Sequence, residues 1–98
     1  MLETQYRASR FCRVLGNPTA YQILEILTHT HKSPSELVKE IGLSLKTVSE
    51  TLRHLREIDL VRYITKANSK IYSLKDESLP KVLYSIENYV KKMRVLKW

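Results

Sequence analysis

The chain has 98 residues, 17 of them Lys or Arg against 10 Asp or Glu, with a formal net charge of +7 and a pI near 9.7. That length bounds the fold to one small domain with a limited core, for which docking against a second copy is an expected source of stability, and the charge favours a polyanionic partner. No apolar run approaches the roughly 18 residues that span a bilayer, the polar opening MLETQYRASR lacks the apolar stretch of a signal peptide, and a lone Cys12 excludes an intrachain disulfide, so a reducing, cytoplasmic setting is expected.

From Thr4 to Leu15 the residues Ala8, Phe11, Cys12 and Leu15 share one helical face, with Arg7, Arg10 and Arg13 on the other sides. Cys12 on that face reads as a small buried hydrophobe rather than a redox switch. Gly16-Asn17-Pro18 breaks the helix, and Asn17 before Pro18 is a good cap for a second helix, apolar nearly all round, ending near His29. His29 and His31 offer a metal only half a site, and a solvated helix end is the plainer account.

Ser33-Pro-Ser-Glu36 has the capping-box pattern, which starts a third helix, and Gly42 can take the left-handed conformation that ends it. Ser44 caps a fourth helix two residues later. In it Val48, Leu52 and Leu55 face the core, which turns Lys46, Thr47, Ser49, Glu50, Arg53 and His54 outward. Two short helices at a tight turn, the second with a small, polar and basic face, fit a major groove. Residues 33–57 are thus expected to form a helix-turn-helix.

Leu60 to Thr65 alternate in character and are rich in β-branched and aromatic residues (Val61, Tyr63, Ile64, Thr65), and Ile71 to Leu74 answer them, so 60–75 reads as a hairpin with Asn68-Ser69 at its tip and Tyr63 and Tyr72 as cross-strand packing residues. Residues 78–97 read as one last helix, with Leu79, Val82, Leu83, Ile86, Tyr89, Val90, Met93 and Leu96 in a stripe longer than so small a fold can cover. A partner helix is its expected cover; Tyr84, Tyr89 and Trp98 would otherwise line a pocket for an aromatic effector.

Arg53, Arg56 and Arg62 are candidate phosphate anchors, together with Lys46, Lys66 and Lys70, and His54 is a further one. Glu50 would be repelled by phosphates unless it accepts from a cytosine amine or pairs with Arg53 or Lys46. No Ser-His-Asp spacing, phosphate-binding glycine loop or acidic pair in a cleft-like context suggests catalysis.

Several separate words in order, Leu15-Gly-Asn-Pro-Thr-Ala-Tyr-Gln-Ile-Leu24, Ser35-Glu-Leu-Val-Lys-Glu-Ile-Gly-Leu-Ser44, Thr47-Val-Ser49 and Leu52-Arg-His-Leu-Arg-Glu-Ile-Asp-Leu-Val61, resemble the ArsR-type winged-helix repressors of bacteria and archaea. The resemblance covers most of the chain and implies a mostly helical winged helix-turn-helix that dimerises through its first and last helices. It puts Leu45, Lys46, Thr47 and Ser49, after the Ser44 cap, at base-facing positions and Lys66, Asn68 and Lys70 in the wing. On this reading the seam comprises Ala8, Phe11, Leu15, Leu79, Leu83, Ile86, Tyr89, Val90 and Met93. Leu45 and Thr51 depart from the Gln and His that many members carry there, so no operator is inherited. Ser33 and Ser35 stand where metal-responsive members have cysteines and the last helix has no histidine, so neither known metal site, and no cofactor, is expected. The expected function is sequence-specific binding of double-stranded DNA as a homodimeric transcriptional repressor, not an enzyme, with the effector unspecified. The alternatives are a winged-helix protein-interaction module and a nonspecific architectural DNA protein.

Overall fold

A computed structural model describes residues 2–95 and 97. Five helices and one hairpin follow in the order α1 Glu3–Leu15, α2 Pro18–His29, α3 Pro34–Ile41, α4 Leu45–Glu57, β1 Val61–Lys66, β2 Ser69–Leu74 and α5 Leu79–Lys92.

Local chemistry sets most of these boundaries. Asn17 Oδ1 accepts from the Ala20 N–H at 3.0 Å, with Pro18 opening α2. At α3 the capping box is complete: Ser33 N–H donates to Glu36 Oε1 at 2.9 Å and Glu36 N–H donates to Ser33 Oγ at 3.2 Å. The Ser33 amide and hydroxyl hold the Glu36 carboxyl below the usual carboxylate range. Gly42 ends α3 at φ 84°, in the left-handed region, and its N–H reaches Val38 O. The end of α4 uses the same device without glycine. Asp59 sits at φ 68°, Leu60 N–H bonds Leu55 O at 2.9 Å and Asp59 N–H bonds Arg56 O at 3.0 Å, a Schellman closure that aims the chain into β1.

The core joins every element. Ile23, Leu24, Leu37, Val48, Leu52 and Leu55 have no exposed surface, and Val61, Tyr72 and Leu83 are almost as deeply buried. Truncating such a side chain to alanine costs about 2–5 kcal/mol, a large part of the stability of a domain this small. Tyr21 Oη donates to Glu87 Oε2 at 2.6 Å and ties α2 to α5; burial, then this hydrogen bond, pushes the phenol well above its ordinary range.

Four features depart from the sequence expectations. The hairpin tip is Ala67-Asn68, both at positive φ (50° and 67°), and Lys66 pairs with Ser69, so the loop is a two-residue turn of the I′ kind rather than one centred on Asn68-Ser69. The connection after α2 is not idle. Lys32 exchanges backbone hydrogen bonds with Tyr72, adding a one-residue bridge to the sheet's second edge. Cys12 is exposed in the protomer instead of buried, because α1 packs mainly on α2 through Phe11, Val14 and Leu15. Finally, α5 stops at Lys92, with Met93 already extended at ψ 143°, short of residue 97. Asn88, Tyr89, Val90, Lys91 and Lys92 are all exposed, so among the described residues the last turn of the helix gains no packing on the buried core. Leu96, expected in the apolar stripe, and Trp98, a member of the alternative aromatic pocket, lie outside the described residues.

Candidate nucleic-acid interface

The geometry of α4 follows from its two ends and its buried stripe. Ser44 Oγ accepts from the Thr47 N–H at 3.1 Å and donates to Thr47 Oγ1 at 3.0 Å, so both candidate DNA-binding residues are engaged in the cap. Thr47 keeps its own hydroxyl proton to offer outward. Val48, Leu52 and Leu55, at zero exposure, fix the rotation of the helix. Leu45, Lys46, Thr47, Ser49, Glu50, Arg53 and His54 are then all exposed, and no acidic residue stands in the first turn. Leu45, 53% exposed, is an apolar side chain presented where a thymine methyl could be read.

Two clefts flank this helix and share only Glu50. The first, of about 240 Å³, lies between α4, the start of α3 and the wing; Ser49, Arg53, Arg56, Lys70 and Tyr72 line it. Its cations are organised by the hairpin. Tyr63 and Tyr72 are register partners, their rings 5.3 Å apart and tilted by 43°. The Arg56 guanidinium stands 5.5 Å and the Lys70 ammonium 4.8 Å from the Tyr63 ring centroid. Tyr63 therefore does more than pack across the strands, because it gathers a cation from α4 and another from β2 against one ring. Burial pushes the Tyr72 hydroxyl up, and the nearby Arg56 charge opposes it.

The second cleft, of about 850 Å³, opens between α1 and the other flank of α4, lined by Arg7, Arg10, Arg13, Thr51 and His54 over a floor that includes Phe11, Val14, Ile58 and Leu60. Here the structure separates His54 from the other anchors. Arg62 and Lys66 are also apart, because strand alternation puts them on the hairpin face opposite Tyr63 and Lys70, while Asn68 sits in the turn itself. Glu50 forms no ion pair among the described residues. Arg53 Nε lies 3.6 Å from Glu57 Oε1 instead, so of the alternatives open to Glu50 the pairing with Arg53 or Lys46 is not made.

The seam residues divide as well. Leu15, Leu79 and Leu83 are 8%, 7% and 1% exposed and belong to the protomer's own core, which corrects their placement at a partner surface. Phe11 and Ile86 are half-buried against that core and Met93 is half-buried, whereas Ala8, Tyr89 and Val90 are exposed. Val82, in the stripe expected to meet a partner helix, and Tyr84 are exposed too. His29 Nε2 lies 3.3 Å from Glu25 Oε1 at the solvated end of α2. Among the described residues no three His, Cys, Asp or Glu side chains converge as a metal would need.

What sequence reasoning missed is the pairing of Arg7, Arg10 and Arg13 with α4, and the Tyr63 platform. The arginines recur every three residues, a stripe visible in the sequence, but their meeting with α4 depends on how α1 crosses α2.

A capped α3, a tight turn, α4 and a hairpin define a winged helix-turn-helix, and the chain belongs to the helix-turn-helix domain family, whose pattern matches residues 15–64. Solved structures share the whole architecture. Rv0081 of Mycobacterium tuberculosis superposes with a TM-score of 0.86 at 24% identity, over 94% of this chain and 93% of that one. The transcriptional regulator HlyU of Vibrio vulnificus gives a TM-score of 0.78 at 25% identity, over 89% and 91%. The homodimeric winged helix-turn-helix DNA-binding domain of Mb0332 from Mycobacterium bovis, a possible ArsR-family regulator, gives 0.80 at 19%, over 91% and 82%. No curated protein sequence matches significantly. Family and fold agree with the resemblance to ArsR-type regulators drawn from the sequence.

Proposed function

We propose that this protein binds double-stranded DNA sequence-specifically as a homodimer and regulates transcription in the cytoplasm, acting as a repressor by occluding a promoter. The observation that carries the reading is the α4 surface: an exposed arc of Leu45, Lys46, Thr47 and Ser49 free of acidic residues in its first turn, beside a cleft where Arg53, Arg56 and Lys70 converge. Such an arc reads base edges in a major groove while the cleft grips the adjoining backbone. The wing, with Lys66 and Asn68 at its tip, reaches the flanking backbone or minor groove. Likeness in fold to Mb0332, whose domain is homodimeric, supports pairing of this chain too. Among the described residues no helix is long and apolar enough to cross a membrane. Metal ions and cofactors have no part in this reading.

Selection of bound fragments from a random DNA pool tests it, followed by titration of the selected duplex at several salt concentrations. Replacing Lys46 and Thr47 by alanine should cost about 1–3 kcal/mol for each base edge no longer read and flatten the sequence preference. Replacing Lys66 and Lys70 should weaken all sequences alike and lower the salt slope by about 0.9 for each phosphate no longer neutralised. Equal affinity for every fragment would make this an architectural protein, and absence of salt-dependent binding would make the winged helix a protein-interaction module.

A further inference from the structure

A helix lying in a major groove has a phosphate backbone on each side of it, and the wing cleft supplies cations to only one. With side chains an α-helix is about 10–12 Å across and the groove about 12 Å wide, so both flanks of α4 meet a wall. The flank away from the wing faces the cleft against α1, where Arg7, Arg10 and Arg13 line the space together with His54. Arg10 is pre-positioned, its guanidinium donating to Tyr6 Oη at 3.0 Å and standing 5.9 Å from that ring's centroid. Arg7 and Arg13 take part in no ion pair among the described residues. Glu50, on the crest between the two clefts, is the only carboxylate lining this one. Three guanidinium groups within two helical turns repel one another unless an anion lies across them.

We infer that α1 is a second backbone-binding element, in which Arg7, Arg10 and Arg13, with His54 of α4, take phosphates of the DNA strand on the side of the major groove away from the wing. The inference rests on the DNA-binding reading of α4. It leaves the small side of α1, with Ala8 and Cys12, free for a partner helix, since those residues are absent from the cleft lining. Phosphates are the fitting occupant because the cations form a stripe along a helix rather than a closed pocket, and because a duplex seated on the α4 crest must pass over this rim.

The test compares the full-length wild type, the triple variant Arg7→Gln/Arg10→Gln/Arg13→Gln, the same three positions changed to Lys, and Lys70→Gln. All altered side chains are exposed, and thermal melting checks that the fold survives. Binding of the selected duplex and of an unrelated duplex is followed by fluorescence anisotropy from about 50 to 200 mM salt. The Gln triple variant should lower the salt slope by about 0.9 for each phosphate released, hence by about two to three units, equally on both duplexes. The Lys triple variant should recover most of it. A slope unchanged in the Gln triple variant, while Lys70→Gln lowers its own, overturns the assignment of α1 but leaves the DNA reading standing. Failure of the wild type to bind either duplex overturns the DNA reading itself. Weaker binding of the selected duplex alone would also refute a backbone role, because phosphates carry no sequence.

Discussion

The exposed side of α5 gives the sharpest test of dimerisation. Tyr89 is 67% and Val82 39% exposed, and one turn of helix or nearly two separate them from Ile86 and each other, on the flank away from Leu79 and Leu83. Burying that part of a tyrosine removes about 130 Å² from water, worth about 3 kcal/mol, and the valine adds about 1 kcal/mol. In a two-fold seam both contributions count twice, to an upper bound of about 8 kcal/mol, from which the loss of translational and rotational freedom is taken. The double variant Val82→Glu/Tyr89→Glu removes this gain and forces carboxylates into the seam, which costs several kcal/mol more unless the helices part. Even a quarter of the bound, about 2 kcal/mol, shifts the dimer dissociation constant about 30-fold. Neither side chain belongs to the buried core, so the protomer should keep its fold, whereas Ile86 packs partly on that core and its replacement would mix the two effects. Sedimentation at micromolar concentration should show a dimer for the wild type and a monomer for the variant. The variant should bind a two-half-site duplex weakly, since recognition helices about 34–36 Å apart no longer act together. A wild-type monomer, or a variant that remains dimeric with full DNA affinity, would refute this seam.

Tyr63→Leu, by removing the ring that gathers Arg56 and Lys70, should weaken duplex binding about three- to tenfold, while Tyr63→Phe keeps the ring and the affinity; equal losses in anisotropy titrations would show that the platform plays no part. Gly42→Ala probes the α3 to α4 turn in isolation, because an added Cβ meets nothing within 4 Å and only the backbone at φ 84° resists it. The expected cost is about 1 kcal/mol, or a melting temperature lower by about 4–8 °C, and an unchanged melt would contradict it. Chelator or added zinc should leave duplex affinity where it was, and a tenfold loss with stoichiometric zinc would direct attention to His29, His31 and Cys12.

The elements that a few adjacent residues determine were legible in the sequence. Ser33, Glu36, Gly42 and Ser44 each act within one helical turn of themselves, so the ends of α3 and the start of α4 can be read without knowing anything distant. The rotation of α4 was equally accessible, since Val48, Leu52 and Leu55 define its buried side by spacing alone. The hairpin was legible as a pair of strands, but its register was not. Asn68 and Ser69 are both plausible turn residues, and only the tertiary pairing of Tyr63 with Tyr72 and the bridge from Lys32 decide which of them closes the loop.

The last helix shows the limit from the other side. Spacing identifies which α5 residues share a stripe, but Leu79 and Leu83 have the same apolar character and nearly the same phase as Val90, and periodicity gives them one role. What separates them is where the rest of the chain ends. Leu83 lies over α2 and the hydrophobic core, whereas Val90, two turns further on, has run beyond both and is 45% exposed. The apolar surface that α5 leaves exposed is therefore set by the length of the other helices as much as by α5 itself, and it includes Val82 and Tyr89 on the adjoining flank. The same reasoning applies to α1, whose arginines look like a solvated face until the crossing of α1 over α2 brings them alongside α4. In both helices the sequence specifies a stripe and the tertiary crossing decides what that stripe meets.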